Sequence, residues 1–171
     1  DAAGTLAGLG GQAPEHPHCV RIDAAVTVIR LPGDRFLMIK SAEGIHLPVD
    51  DGAWHAADIA CGIPFILPAT QEEFVPQMVN LDLIGALSYT KGCYPGQEIV
   101  ARTHYLGRLK QRMYRASVAA AAPGDKLYCH ELGDQAAGMV VSASSAGDGH
   151  QEVLVVLQTA NAVTASYHCG S

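Results

Sequence analysis

Residues 91–112 read KGCYPGQEIVARTHYLGRLKQR, and this stretch holds the change from loop to helix to strand around which the chain is organised. Tyr94-Pro95-Gly96-Gln97 suits a type II turn, because proline fixes φ at the second position and glycine supplies a positive φ at the third. From Gln97 to Thr103 no residue breaks a helix, and Glu98 and Arg102 stand at i, i+4 in the favoured acid-first order. A helix starting near Gln97 is therefore expected. Cys93 then lies in a glycine-flanked loop close to a helix N-terminus and two residues from Lys91, both of which stabilise a thiolate. The alternative is a cysteine serving as small apolar volume. Gly92 and Gly96 imply tight backbone rather than packed core, which favours the functional thiol.

The same stretch is unusual in its charge. Between Lys91 and Arg115, six bases (Lys91, Arg102, Arg108, Lys110, Arg112, Arg115) face one acid, Glu98, a net +5, so the rest of the chain carries −11 to reach the total of −6. Such an asymmetry fits an anionic ligand or partner, and it also fits a solvated helix face or strand rim.

Downstream of Arg112 the texture becomes short apolar runs: Met113 to Val118, Lys126 to His130, Gly138 to Ala143, Val153 to Leu157 and Ser166 to Cys169. Turn signals separate them at roughly ten-residue spacing, which predicts a small antiparallel barrel or sandwich. Upstream, Val26 to Lys40 reads as a β-hairpin whose loop, around Leu31-Pro32-Gly33-Asp34, is longer than two residues. Gly52 to Ala60 fits a short helix, with Trp54 expected in the core. Thr70-Gln71-Glu72-Glu73 has the pattern of a capping box, and Pro76 limits any helix it starts. Residues 1–18, rich in Gly, Ala and Pro without periodicity, read as a linker-like leader.

The 171 residues, 49% hydrophobic and 16% charged, can bury a sizeable core. No apolar run approaches the roughly 20 residues of a membrane span, and the first residues lack the pattern of a signal peptide; a cytoplasmic location is the default expectation. Five widely spaced cysteines without a CxxC arrangement indicate reduced thiols rather than a disulfide framework or zinc knuckle. His16-Pro17-His18-Cys19 is a weak metal candidate.

The run from Gly62 to Arg115 resembles the YgfZ-type folate-binding proteins, relatives of the glycine-cleavage T protein. Their KGCYxGQE signature is matched by Lys91, Gly92, Cys93, Tyr94, Gly96, Gln97 and Glu98, with support from Phe74 to Met78, Asn80-Leu81, Ala101-Arg102 and Gly107. The resemblance implies an α+β fold: a T-protein-like folate-binding α/β body, here incomplete over 19–108, followed by a small C-terminal antiparallel β-barrel over 109–171. It implies a tetrahydrofolate-type ligand, contacted by Lys91, Tyr94, Gln97, Glu98 and Arg102, with Cys93 as the functional thiol. Arg102, Arg108 or Lys110 could meet the folate glutamate carboxylates.

What the family implies about function is an accessory protein for iron-sulfur cluster assembly or repair and for iron-sulfur-dependent tRNA modification, its partners being assembly proteins or client enzymes. The chain looks as though the N-terminal portion of such proteins were absent and a helix were missing after Ser41. A folate-dependent aminomethyl or one-carbon transferase is the enzymatic alternative. It is disfavoured because Ala60 stands where T proteins carry an acid before their Gly-x-Pro run. A nucleic-acid-binding module is a third class, opposed by the overall acidity and by the absence of an aromatic platform. Tyr94 could equally face the core, Arg102 could serve only Glu98, and His104 has no recognisable partner.

Overall fold

A computed structural model describes residues 2–23, 25–41, 51–147, 149–160, 162 and 167–169, with Asp51 described in its backbone alone. The chain forms two compact units, 1–50 and 51–171. The region 19–108 expected as one body therefore contributes to both units, whereas the strand-rich stretch after 109 lies within the second.

In the first unit, β1 (Val20–Asp23), β2 (Val26–Leu31) and β3 (Arg35–Lys40) form an antiparallel sheet in that order. The expected hairpin is present: Leu31 pairs with Arg35 across the three-residue loop Pro32-Gly33-Asp34, and Arg30 Nη2 donates to Asp34 Oδ1 at 2.7 Å. Val28 is buried on one face. Residues 2–8 differ from the expected linker, since Ala2–Gly8 is a helix, α1, with Leu6 buried. One buried leucine in an alanine- and glycine-rich run gives no detectable period, which explains why the helix was not expected. Arg30 Nη1 donates to the Glu15 carbonyl at 2.7 Å and Lys40 Nζ to the Leu9 carbonyl at 3.0 Å, so basic side chains of the hairpin hold the segment after α1. The apparent gap after Ser41 lies outside the described residues.

The second unit opens with α2 (Asp51–Ala60), the short helix expected from the sequence. Its end is a Schellman motif, in which Gly62 takes φ 67°, its N–H donates to the Ile59 carbonyl at 3.1 Å, and the Ile63 N–H donates to the Asp58 carbonyl at 2.9 Å. Trp54 is a correction to the expected core: it is 39% exposed, while Ile59 carries the buried contact of the helix. The expected capping box is also corrected. Thr70 ends a 3-10 turn (Pro68–Thr70), and its hydroxyl accepts from the Leu67 N–H at 3.0 Å, so it closes the preceding turn instead of starting a helix.

Five antiparallel strands follow: β4 (Gln111–Val118), β5 (Lys126–Cys129), β6 (Gly138–Ser145), β7 (Gln151–Gln158) and β8 (Tyr167–Cys169), in spatial order β4-β7-β6-β5-β8. The sheet is curled, and the Cys169 thiol reaches the Ala120 carbonyl at 3.8 Å, bringing edge strand β8 near the segment that follows β4. No ladder joins β4 to β8 among the described residues, so the expected barrel is a curled, partly open one. This agrees with the α+β class expected from the sequence.

Strand β7 shows where the core sits. Val153, Val155 and Leu157 pack inside the curl with Leu127 and Val140, while Leu154 and Val156 pack on the other side with Ile59, Val79 and Val141. Both faces are covered, which is why this strand is a continuous apolar run and not an alternating one. Residues 74–82 form turns pinned to β4: Arg112 binds Asp82 through two parallel bonds of 2.6 and 2.8 Å, and Asn80 Nδ2 donates to the Met113 carbonyl at 2.8 Å. Among the described residues, no helix is long and apolar enough to cross a membrane.

Candidate functional site

The signature loop is fixed at both ends by short-range chemistry. At its entry the Lys91 N–H donates to the Ser88 hydroxyl at 3.2 Å. At its exit the expected type II turn is formed: Gly96 has φ 81° and ψ 1°, and the Gln97 N–H donates to the Tyr94 carbonyl at 3.2 Å. Helix α3 (Gln97–Tyr105) starts there, as the sequence predicts, and runs two residues past Thr103. It is held by one buried side chain, Val100, whose carbonyl accepts from Gln77 Nε2 at 2.7 Å. A ring stack ties the loop's base to the helix end, with Tyr89 and His104 3.8 Å apart between centroids and 18° from parallel. His104, which had no recognisable partner in the sequence, therefore closes the loop by a contact fifteen positions away that no local pattern signals.

Within this frame the expected site residues part into two groups. Lys91 is occupied: its ammonium lies 4.5 Å from the centre of the Tyr94 ring, a cation–π contact that also half-buries Tyr94. Gln97 is half-buried at the start of α3. Cys93, Glu98 and Arg102 are exposed. Glu98 and Arg102 lie one turn apart on one face of α3, yet they form no ion pair among the described residues, contrary to the expected i, i+4 bridge. In water such a pair gains little over two solvated charges. The same exposed face carries Ile99, Tyr105 and Leu106, which are 60%, 68% and 85% exposed.

The concentration of bases also resolves into roles. Arg112 is structural, anchored by Asp82, and the hydrogen bond from its guanidinium holds the Asp82 carboxyl below the usual carboxylate range. Arg115 meets Glu152 at 2.6 Å across the β4–β7 pair. Arg102, Arg108 and Lys110 have no carboxylate partner among the described residues. Arg108 and Lys110 line a groove of about 570 Å3 with Val75, Met78, Thr103 and Gln158. Of the bases between Lys91 and Arg115, those without a carboxylate or ring partner among the described residues thus lie on α3 and the segment that leaves it.

Chemically, the α3 face offers a carboxylate acceptor, a guanidinium donor and apolar surface on one side, with a free thiol in the adjoining loop. Glu98 can accept from N–H donors, and Arg102, Arg108 and Lys110 can donate to anionic oxygens. All five cysteines are free, and among the described residues no group of three or more His, Cys, Asp or Glu side chains could hold a metal ion.

No protein-family model matches the chain. It is similar to the tRNA-modifying protein YgfZ of Yersinia pestis (strain Pestoides F), with 35% identity over 159 residues, covering 84% of this chain and 48% of that protein. The tRNA-modifying protein YgfZ of Serratia proteamaculans (strain 568) is 34% identical over 175 residues, covering 91% of this chain and 52% of that protein. The chain spans about half the length of the curated relatives it matches. With the KGCYxGQE signature intact in an exposed loop and this similarity running over most of its own length, the chain belongs to the YgfZ-type proteins.

Proposed function

We propose that the chain acts as a folate-binding accessory protein that supports iron-sulfur cluster assembly or repair and, through it, iron-sulfur-dependent tRNA modification. The observation that carries this reading is the separation of roles around Cys93. Lys91, Tyr94, Gly96 and the Tyr89–His104 stack are engaged in holding the loop, while the thiol itself is exposed. A structural cysteine is normally packed away, and a thiol that must meet a partner has to be reachable. The ligand is tetrahydrofolate or a derivative, bound with its pterin edge against Glu98 and its carboxylates toward Arg102, Arg108 and Lys110. The names of the relatives support the tRNA-modification part of the reading. Ala60 in place of an acid continues to favour an accessory role over aminomethyl transfer.

Calorimetric titration of tetrahydrofolate into the reduced chain, with Glu98→Ala and Cys93→Ala alongside, tests the ligand. Saturable binding that weakens about tenfold in Glu98→Ala, as expected for loss of a charge-assisted hydrogen bond, and is unchanged in Cys93→Ala supports the assignment. Binding indifferent to Glu98, or absent from the folded chain, removes folate recognition from this surface. The thiol's role is read separately, by whether Cys93→Ala restores iron-sulfur-dependent tRNA thiolation in cells lacking the protein. Restoration by the variant would sink it.

A further inference from the structure

Away from the signature loop, a cavity of about 120 Å3 lies between α2, the segment that leaves it and β6, lined chiefly by His55, Ile59, Ile63, Phe65, Leu67 and Ser142. Its construction follows from two local features. The Schellman turn at Gly62 sends the chain back beside α2, and every second residue after it, Ile63, Phe65 and Leu67, reaches the cavity. On the other side β6 has a bulge at Val141: Val140 pairs with Val155, and the next paired residue, Ser142, faces Leu154. The extra residue turns Ser142 to the α2 side of the sheet, the side on which Leu154 packs with Ile59.

Ser142 is 9% exposed, and its Oγ has no hydrogen-bond partner among the described residues. A buried hydroxyl in that state carries a desolvation cost that a ligand's hydrogen bond relieves. Asp58, the other buried polar residue of the lining, takes part in an interaction of its own, so Ser142 is the buried group left for a ligand. Ile59, Ile63 and Leu67 make the walls apolar. His55 and Phe65 are the exposed members, with their rings edge to face 6.1 Å apart.

We propose that this cavity binds a small neutral phenol, a single aromatic ring whose hydroxyl meets Ser142 Oγ. Size sets the ring: the volume is of the order of an apolar cavity that takes up benzene, and a fused bicycle exceeds it. The walls set the charge, because an ion entering among Ile59, Ile63 and Leu67 would give up its hydration for one neutral hydroxyl. Chemistry sets the polar group: a serine hydroxyl both donates and accepts, and a phenol, neutral below pH about 10, can do the same in return. The rings of His55 and Phe65 add aromatic contact on the exposed side. This site is separate from the surface assigned to folate and stands or falls independently of it.

The test is a titration of the full 171-residue chain with phenol and, separately, with toluene, which has the same size and no hydrogen-bonding group, followed by amide NMR shifts. Saturable shifts confined to α2, residues 61–67 and 141–144 are expected with phenol, and toluene should bind about fivefold more weakly. Ser142→Ala removes a hydroxyl that has no partner to lose; it should bring phenol down to the level of toluene and leave toluene unchanged. Ile63→Phe puts a ring of the protein's own into the space and should abolish both. If either variant does not fold, the comparison of phenol with toluene in the parent chain still decides. No saturable shift with phenol, shifts elsewhere, toluene binding as tightly as phenol, phenol binding indifferent to Ser142→Ala, or binding that survives Ile63→Phe overturns the proposal.

Discussion

The two antiparallel sheets among the described residues are written in similar residues and end in opposite states. In the three-stranded sheet, Val20, Ile22, Leu37 and Ile39 are 53%, 76%, 45% and 57% exposed, while Val28 on the opposite face is buried. In the five-stranded sheet, Val153 to Leu157 are all 5% exposed or less. Alternation along a strand decides which residues share a face, but only a second layer decides whether that face is dry. The curl supplies one such layer to β7 from the sheet itself, and α2 with residues 74–81 supplies the other.

The comparison can be broken most severely at Gly138. A Cβ there would run into the Val156 carbonyl oxygen of the neighbouring strand, a backbone atom that cannot yield without opening the ladder. Gly138→Ala should therefore destabilise the second unit by about 3 kcal/mol or more, read as a lowered urea midpoint. A midpoint within error of the parent would mean that the β6–β7 spacing is looser than described.

Leu154→Ala and Ile39→Thr sharpen the contrast between the sheets. The first empties a position with both layers present and should lose about 3 kcal/mol; the second changes an exposed face and should stay within about 0.5 kcal/mol. Comparable losses would show that the Ile39 face is covered in solution.

A smaller effect is expected where residues 74–82 are pinned to β4. Asp82→Asn removes the charge that Arg112 binds and should lose about 1–2 kcal/mol at neutral pH. The carboxyl of Asp82 is lowered in the folded state, chiefly by the hydrogen bond from Arg112. Its contribution is therefore fully present above the unfolded value of about 3.9 and is lost as pH falls through the folded one. The stability gap between parent and variant should close on acidification; a gap that is constant with pH would assign the loss to packing instead of charge. The smallest stability effect belongs to the exposed Cys93: Cys93→Ala should leave the midpoint within about 0.5 kcal/mol. A larger loss would mean that the thiol is structural.

How much of this could be read beforehand depended on the range of the interaction. The Tyr94–Gln97 turn, the start of α3, the 31–35 hairpin loop and α2 were legible because proline, glycine and helix-compatible runs act on their own backbone. The signature loop was legible as a motif, and its thiol is exposed instead of serving as packed apolar volume. Misreadings arose where a local pattern had two outcomes. Thr70 can cap forward or close backward, and the preceding Pro68-Ala69 turn took it. Trp54 is large and apolar, yet Ile59 occupies the face of α2 that meets the sheet.

By itself, then, the sequence determined part of the local geometry: the Tyr94–Gln97 turn, the hairpin of β2 and β3, helices α2 and α3, the strands after residue 109, and which loop carries the thiol; α1 and β1 were not among them. Tertiary structure decided how the charged and polar groups are used. Arg112 and Asp82 are thirty positions apart, His104 and Tyr89 fifteen, and Ser142 is aimed by a bulge whose position depends on the register with β7. Pairing of that kind depends on distances set only when the sheet has curled and its layers have closed, so no spacing along the chain encodes it.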